Sequence, residues 1–439
     1  MIVIVGAGVS GLALATELAR AGTPFTVFEA EGEVGGVIRT VHRDGHRLEL
    51  GPQRVRALPA VARILAEMPG PHHHTPDLPV MVARGGELHP LPRTLPQALG
   101  TRAVSVSGKL RAALEPLAAL RPLRDGVSAA ELLRSRLGSE VYRTFAGPLL
   151  GGLYGSDPEE MDADRTLVPA METLGMGSFV GRLLPRFGRG RGGDERGALL
   201  DAPMVVPAGG MAALPRHLAE VVARTRPGAL RLGCAVRGIR RRQGKRGYVV
   251  ETDEGTVEAQ AVILTLPPGR AADLLKPSAP SASRILRGLR TNPLALVHVA
   301  VPHLPPALGF QVAFGEPQRM RGATFSGNLD GTGRSAVVYL GGMPDPDFPS
   351  APDRDLMETA STELETLTGT AAHPIHVHRT RMPAWDRSWR AMDDLVLPPD
   401  VHLLTNYSGR PGILGRMEAA RRLAEQLATQ PPRARRTAQ

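Results

Sequence analysis

The chain has 439 residues, which is long for one ordinary domain, so two or three are expected. Its 42% apolar content supports a large core, yet no run approaches the roughly 18 uninterrupted apolar residues of a membrane span. The net charge of +10 rests on scattered arginines, since only Lys109, Lys245 and Lys276 are lysines, and 4% aromatic content leaves few stacking platforms. No nucleic-acid partner is expected on that basis. The charge instead suits an anionic small molecule or an anionic lipid surface. Cys234 is the single cysteine, which rules out an internal disulfide and fits a reducing cytoplasm.

The opening segment carries most of the information. Met1–Leu14 lacks the charged start of a leader peptide, so it is expected to remain as structure. Ile2–Val5 forms a buried strand, a glycine turn follows, and Leu12–Arg20 form a helix that stops at Gly22. Phe25–Phe28 then make a second strand ending at Glu29 and Ala30. This order suits a dinucleotide. Gly6 permits the tight turn, Gly8 admits the pyrophosphate close to backbone, and Gly11 lets helix and sheet pack closely. Val9 and Ser10 open the helix, whose N-terminus presents free N–H groups and a partial positive charge to the phosphates. Glu29 is placed to accept the ribose hydroxyls. A second glycine pair, Gly35 and Gly36, precedes Arg39.

His72, His73 and His74 lie between Pro71 and Pro76, without the carboxylate or cysteine that would complete a metal ligand set, so they read as a solvated loop. Residues 88 to 200 are rich in Leu, Ala and Arg at helical spacing. Val104–Leu120 and Ser128–Leu137 are expected helices, the latter capped by Ser128. No long apolar face stands out there, and the glycine-rich stretch Phe187–Gly197 reads as a mobile loop. Short strands follow from Val205 through Leu266, with Arg237–Arg246 as a solvated hairpin and Cys234 on a strand. Leu294–Val301, Phe310–Phe314, Ala323–Ser326 and Ser335–Leu340 are further strands, and Asp353–Leu367 is a helix. Val401–Thr405 and a helix from about Met417 to Leu427 repeat the opening logic, before a disordered tail at 433–439.

The resulting fold class is α/β: a discontinuous Rossmann-like dinucleotide-binding domain (1–78, 204–266 and 372–432) with an α+β substrate domain (79–87 and 267–371). Residues 88–203 form a helical insertion on the membrane-surface or substrate side.

Gly6–Gly11, Glu29, Gly35-Gly36, Arg39 and Leu50-Gly51-Pro52 together resemble the FAD-dependent amine oxidase and protoporphyrinogen oxidase superfamily. Leu149–Pro158, Pro207–Pro215, Gly309-Phe310, Tyr339–Gly342 and Asn406–Gly409 look like its porphyrinogen-oxidase branch. The resemblance runs in order over nearly the whole chain. It implies non-covalent FAD, with Gly35, Gly36 and Arg39 beside the pyrophosphate and Val236 offering backbone to adenine. It further implies Gly51 and Pro52 passing against the flavin, with Gly412–Met417 leading the helix that faces its N1/C2=O edge. Gly152, Phe314, Thr324 and Tyr339 fall on positions that line the substrate slot. Some relatives carry an arginine carboxylate anchor before the Gly85-Gly86 turn; Val80 stands there.

The activity implied is oxidation of protoporphyrinogen IX or coproporphyrinogen III to the porphyrin in haem biosynthesis. That is six electrons in three hydride transfers to flavin N5, each with O2 as acceptor and H2O2 as product. No catalytic side chain is assigned, and no metal. Amine oxidases usually pair an aromatic cage with a lysine near N5, on the strand matching Leu294–Val301, and no lysine follows Lys276. A carotenoid-type desaturase shares the nucleotide motifs, and a non-catalytic carrier of flavin or tetrapyrrole would keep the same glycines. The expected setting is cytoplasmic, soluble or weakly peripheral on the cytoplasmic face of the membrane, with a homodimer left open.

Overall fold

The computed structural model describes residues 1–118, 126–173, 178–179, 202–409 and 412–429. Phe187–Gly197 and the tail from 433 lie outside the described residues. Two sheets organise the rest. The first is parallel and five-stranded, ordered Leu230–Arg231, Phe25–Phe28, Ile2–Val5, Ala261–Leu264 and Val401–Leu403. Its strands come from three distant chain segments. Parallel pairing explains the unbroken apolar runs, because both faces are buried. The helices Val9–Arg20, Ala213–Thr225 and Gly412–Thr429 cover one face around Ile4, Leu14, Leu218 and Ala420.

The second sheet has seven strands, ordered His373–Pro383, Thr291–Ala300, Ser335–Gly341, Met320–Thr324, Gly309–Val312, Val80–Arg84 and Glu87–Pro90. Alternation divides its side chains. Ala295, Val297, Phe310 and Val338 pack against Leu356, Ala360 and Leu364 of the helix Asp353–Thr368. The opposite face carries Leu294, Leu296, Val337 and Tyr339.

Several boundaries differ from the sequence reading. His373–Pro383 pairs along Thr291–Ala300, so it belongs to the second sheet and not with the nucleotide segments. Pro268–Leu275 and Pro280–Gly288 pack beneath Val3, Val5 and Val262 of the parallel sheet, although they lie in the stretch read as substrate domain. The helix expected over Val104–Leu120 is split into Val106–Ala113 and Glu115–Ala118. Pro116 has no N–H to continue the first helix, so the chain caps at Leu114 and restarts. Residues 119 and 120 lie outside the described set. Ser128 does cap Ala129–Leu137, in a reciprocal capping box with Glu131. Arg237–Arg246 spans the turn of an antiparallel hairpin, as expected. Cys234 sits between strands and is buried; its N–H donates to the Glu29 carbonyl at 2.8 Å.

His72 to His74 form no free loop. His73 and His74 pair with Val206 and Val205, while a ring nitrogen of His72 reaches the Leu65 carbonyl at 2.8 Å. Among the described residues no cluster of His, Cys, Asp or Glu is arranged to hold a metal ion.

Candidate active site: a nucleotide cradle above a sheet floor

The three glycines of the opening turn have three separate physical reasons. Gly6 has φ +107°, and a Cβ there would lie 2.6 Å from Thr265 Oγ1. A Cβ on Gly11 would enter the Gly6 carbonyl oxygen. A Cβ on Gly8 would meet no protein atom within 4 Å. The space before Gly8 is therefore outside the protein's own packing, at the N-terminus of a helix that no side chain caps and whose first turn has no acid. That is the geometry an anionic diphosphate needs.

The second glycine run closes the cradle. Gly8 and Gly35 form a parallel bridge, Gly35 N–H donates to the Ala7 carbonyl at 3.0 Å, and a Cβ on Gly36 would come to 3.5 Å from Gly8 Cα. Glu29 is fixed from two sides, accepting from the Ala7 N–H at 2.7 Å and the Glu31 N–H at 3.0 Å. Arg39 makes one long ion pair to Glu33 at 3.7 Å and leaves its buried Nε without a partner. An orphaned guanidinium N–H beside an open glycine cradle fits a bound phosphate. Val9 is half-buried and Ser10 buried at the start of the helix, while Ala30 is exposed beyond Glu29. The sequence reading missed Thr265. Its hydroxyl, 2.9 Å from the Val5 carbonyl and 3.0 Å from that of Gly6, locks the glycine turn. The parallel register Val5–Leu264 brings it there, which only the pairing reveals.

Gly51 is required for a reason other than the one expected. A Cβ there would enter the Val37 carbonyl oxygen, so the demand comes from chain packing within the cradle. Pro52 is half-buried beside it. Val236 opens the strand Val236–Arg241 and is half-buried against the core containing Phe28 and Val3. Gly412, at φ +85°, starts the last helix, and Met417 is buried in the core under the parallel sheet.

The face of the second sheet opposite its helix is partly buried and partly half-exposed. Two rows run straight across it. One row is His378, Leu296, Tyr339, Gly322, Gln311 and Val82; the next is His376, His298, Val337, Thr324, Gly309 and Val80. Thr324 and Tyr339 thus meet, with their hydroxyls 3.1 Å apart. Gly309 and Gly322 flatten the middle of the floor. Phe314 stands at its edge, its ring edge-on to Tyr142 at 5.8 Å, and Gly152 of the helix Gly147–Tyr154 lies against the Gln311 amide. The four slot residues therefore fall on one side of the sheet in two neighbouring groups. Val80 shares that face and brings no charge.

Electrostatics across the floor are unusual. Burial, reinforced by His376 and His378, pushes His298 down to about 3, and its Nε2 has no partner. His376 and His378 are also held below the ordinary histidine range, chiefly by burial, with Arg43 acting on the first and Arg39 on the second. All three rings are neutral at pH 7. Burial likewise raises the Tyr339 phenol. The arginines that act on this face, Arg39 on His378, Arg43 on His376 and Arg54 on Tyr339, come from the first 60 residues, the segment that also forms the cradle.

A parallel sheet with a glycine cradle suited to a dinucleotide, together with the family and relatives it matches, makes the chain an FAD-dependent oxidoreductase. The chain belongs to the flavin containing amine oxidoreductase family, whose model matches residues 9–395. It is 29% identical to coproporphyrinogen III oxidase of Mycobacterium bovis over 452 aligned positions, covering 95% of each chain. It is also 29% identical to protoporphyrinogen oxidase 1 of Spinacia oleracea over 320 positions, 68% of this chain; the match spans only 56% of that relative's length. Among solved structures, a protein of Exiguobacterium sp. 255-15, provisionally named a protoporphyrinogen oxidase, superposes with a TM-score of 0.76 at 23% identity, covering 97% of this chain and 98% of that one. Putrescine oxidase bound to putrescine superposes at 0.70 with 20% identity, covering 97% and 98%. These structural likenesses establish the fold.

Proposed function

We propose that the protein oxidises a porphyrinogen, coproporphyrinogen III or protoporphyrinogen IX, to the porphyrin. The observation that carries this reading is the floor itself: two rows of uncharged side chains with two glycines and three neutral histidines, on the sheet beside the nucleotide cradle. A neutral, flat surface suits a large macrocycle held by packing. The relationship to coproporphyrinogen III oxidase over 95% of both chains favours the tetracarboxylate substrate.

FAD, when bound, accepts two electrons at a time and passes them to O2, so six electrons need three rounds. The chain's own residues bind and orient. The cradle of Gly8, Glu29, Gly35 and Arg39 holds the dinucleotide, while Leu296, Val337 and Tyr339 supply apolar surface and exclude water. No lysine or carboxylate stands on either floor row. An amine oxidase would need its lysine on Thr291–Ala300, and that strand has none. Aerobic turnover of both porphyrinogens, read by porphyrin fluorescence, tests the assignment. Coproporphyrinogen III is expected to turn over faster; failure with both by the FAD-loaded protein sinks it and leaves the carrier.

Peripheral membrane association gains support from one surface. Leu99, Val106, Leu110, Leu114 and Leu117 are each more than half exposed, on neighbouring short helices of the insertion. This stripe corrects the sequence reading, in which no apolar face stood out. No helix among the described residues is long and apolar enough to cross a membrane. Flotation with anionic vesicles is expected for the wild type and lost in Leu110→Asp/Leu117→Asp; equal flotation of both proteins excludes the stripe as the contact.

A further inference from the structure

A cavity of about 520 Å³ opens beside the core that holds Ile239 and Tyr248, on the Val3 and Val262 side of the parallel sheet. None of its lining residues belongs to the nucleotide cradle or to either floor row. Three separate pieces of chain wall it. They are the hairpin at Ile239–Arg241 and Tyr248, the turn Pro277–Ala279 between two helices, and the segment Val396–Pro399 that leads into Val401–Leu403. Its volume is that of a small-molecule site.

The walls carry the chemistry for an aliphatic body and one negative charge. Ile239, Pro277, Leu397 and Pro398 are aliphatic, and Val396 is left 79% exposed. Tyr248 brings the one aromatic ring, and its hydroxyl is already spent on the Pro399 carbonyl. No acid lines the cavity. Ser278 holds a buried hydroxyl oxygen without a partner, a group that a ligand can complete. The hairpin arginines differ among themselves. Arg237 is ion-paired with Asp253, Arg240 with Glu251 and Arg242 with Glu258. Arg241, exposed and opposite Tyr248 in the hairpin register, has no carboxylate partner among the described residues.

One uncommitted guanidinium matches one negative charge, which favours a carboxylate over a phosphomonoester carrying nearly two. The exposed aliphatic wall gains by being covered with a hydrocarbon chain. We propose that this cavity is a second ligand site, separate from the nucleotide cradle and the floor, for an aliphatic monocarboxylate of roughly eight to twelve carbons. The carboxylate pairs with Arg241 and accepts from the Ser278 hydroxyl, while the chain lies against Val396 and Leu397. An occupant joins the hairpin, the helix turn and the segment entering Val401–Leu403, the edge strand of the parallel sheet. Its binding therefore stabilises that edge by linkage.

The test titrates octanoate and 1-octanol into the FAD-loaded protein by calorimetry. Wild type is expected to bind one octanoate, and 1-octanol more weakly. Arg241→Gln should weaken octanoate about fivefold and leave 1-octanol unchanged. Val396→Asp, at an exposed position, should weaken octanoate by placing a like charge on the wall. Arg246→Gln removes a charge from the same hairpin outside the cavity and should change neither affinity. Flavin content should be equal in all four proteins. No octanoate binding by wild type overturns the proposal, as does equal octanoate affinity in wild type and Arg241→Gln. Equal losses in Arg241→Gln and Arg246→Gln reduce the effect to net charge and overturn it too. Octanoate bound no tighter than 1-octanol removes the anion and with it the site proposed. Displacement of octanoate by coproporphyrin III overturns a second site, because both ligands then share one.

Discussion

The parallel nucleotide sheet and the seven-stranded floor are both built from apolar strands, yet their working residues differ in kind. In the nucleotide sheet function is carried by backbone: glycines that open space, a helix end, and one carboxylate at a strand terminus. Such positions leave a local pattern, because a turn between strand and helix tolerates few residues. On the floor, the proposed function rests on side chains brought into rows from six strands spread over residues 80 to 383. The cradle is therefore a property of about 40 consecutive residues, and the floor a property of register.

The largest expected effect breaks the cradle's two roles apart. Gly11→Val drives a side chain into the Gly6 carbonyl and should cost more than about 3 kcal/mol, leaving little folded protein. At Gly8 an added Cβ meets no protein atom within 4 Å, so Gly8→Val should fold with an unfolding midpoint close to that of the apo wild type yet purify colourless. Circular dichroism melts and bound-flavin absorbance distinguish these. A Gly8→Val protein that retains FAD contradicts the cradle.

A second test concerns the floor. His298 takes its proton near pH 3 in the folded protein, but at the ordinary 6.5 in the unfolded chain. Between those values the unfolded state binds more protons, so folding stability falls as the pH drops from about 6.5 toward 3. The loss attributable to this ring is on the order of 5 kcal/mol over the whole window. His376 and His378 shift in the same direction and add to it. His298→Leu should flatten stability against pH below 6.5; an unchanged slope between pH 7 and 5 would show that the ring is not buried neutral.

The smallest effect probes the helical insertion, which belongs to neither sheet. Ser128→Ala removes the hydroxyl half of a capping box, the acceptor of the Glu131 N–H, and should lower stability by about 1 kcal/mol, seen as a shift in urea midpoint with flavin content unchanged. A change in flavin content there would tie the insertion to the cradle.

The sequence by itself determined the nucleotide cradle, since Gly6, Gly8, Gly11 and Glu29 are constrained within one strand–turn–helix–strand unit. It also located most strands and the Ser128 cap, where alternation and capping are local rules. Tertiary structure alone decided which sheet His373–Pro383 joins, because its alternation suits either. It decided that Thr265 locks a turn 260 residues away, and that Thr324 and Tyr339 touch. It also left Arg54 with a buried, unpaired guanidinium nitrogen. In the chain Arg54 is one of many scattered arginines; its meaning comes from burial without a partner, which is a property of packing and not of sequence.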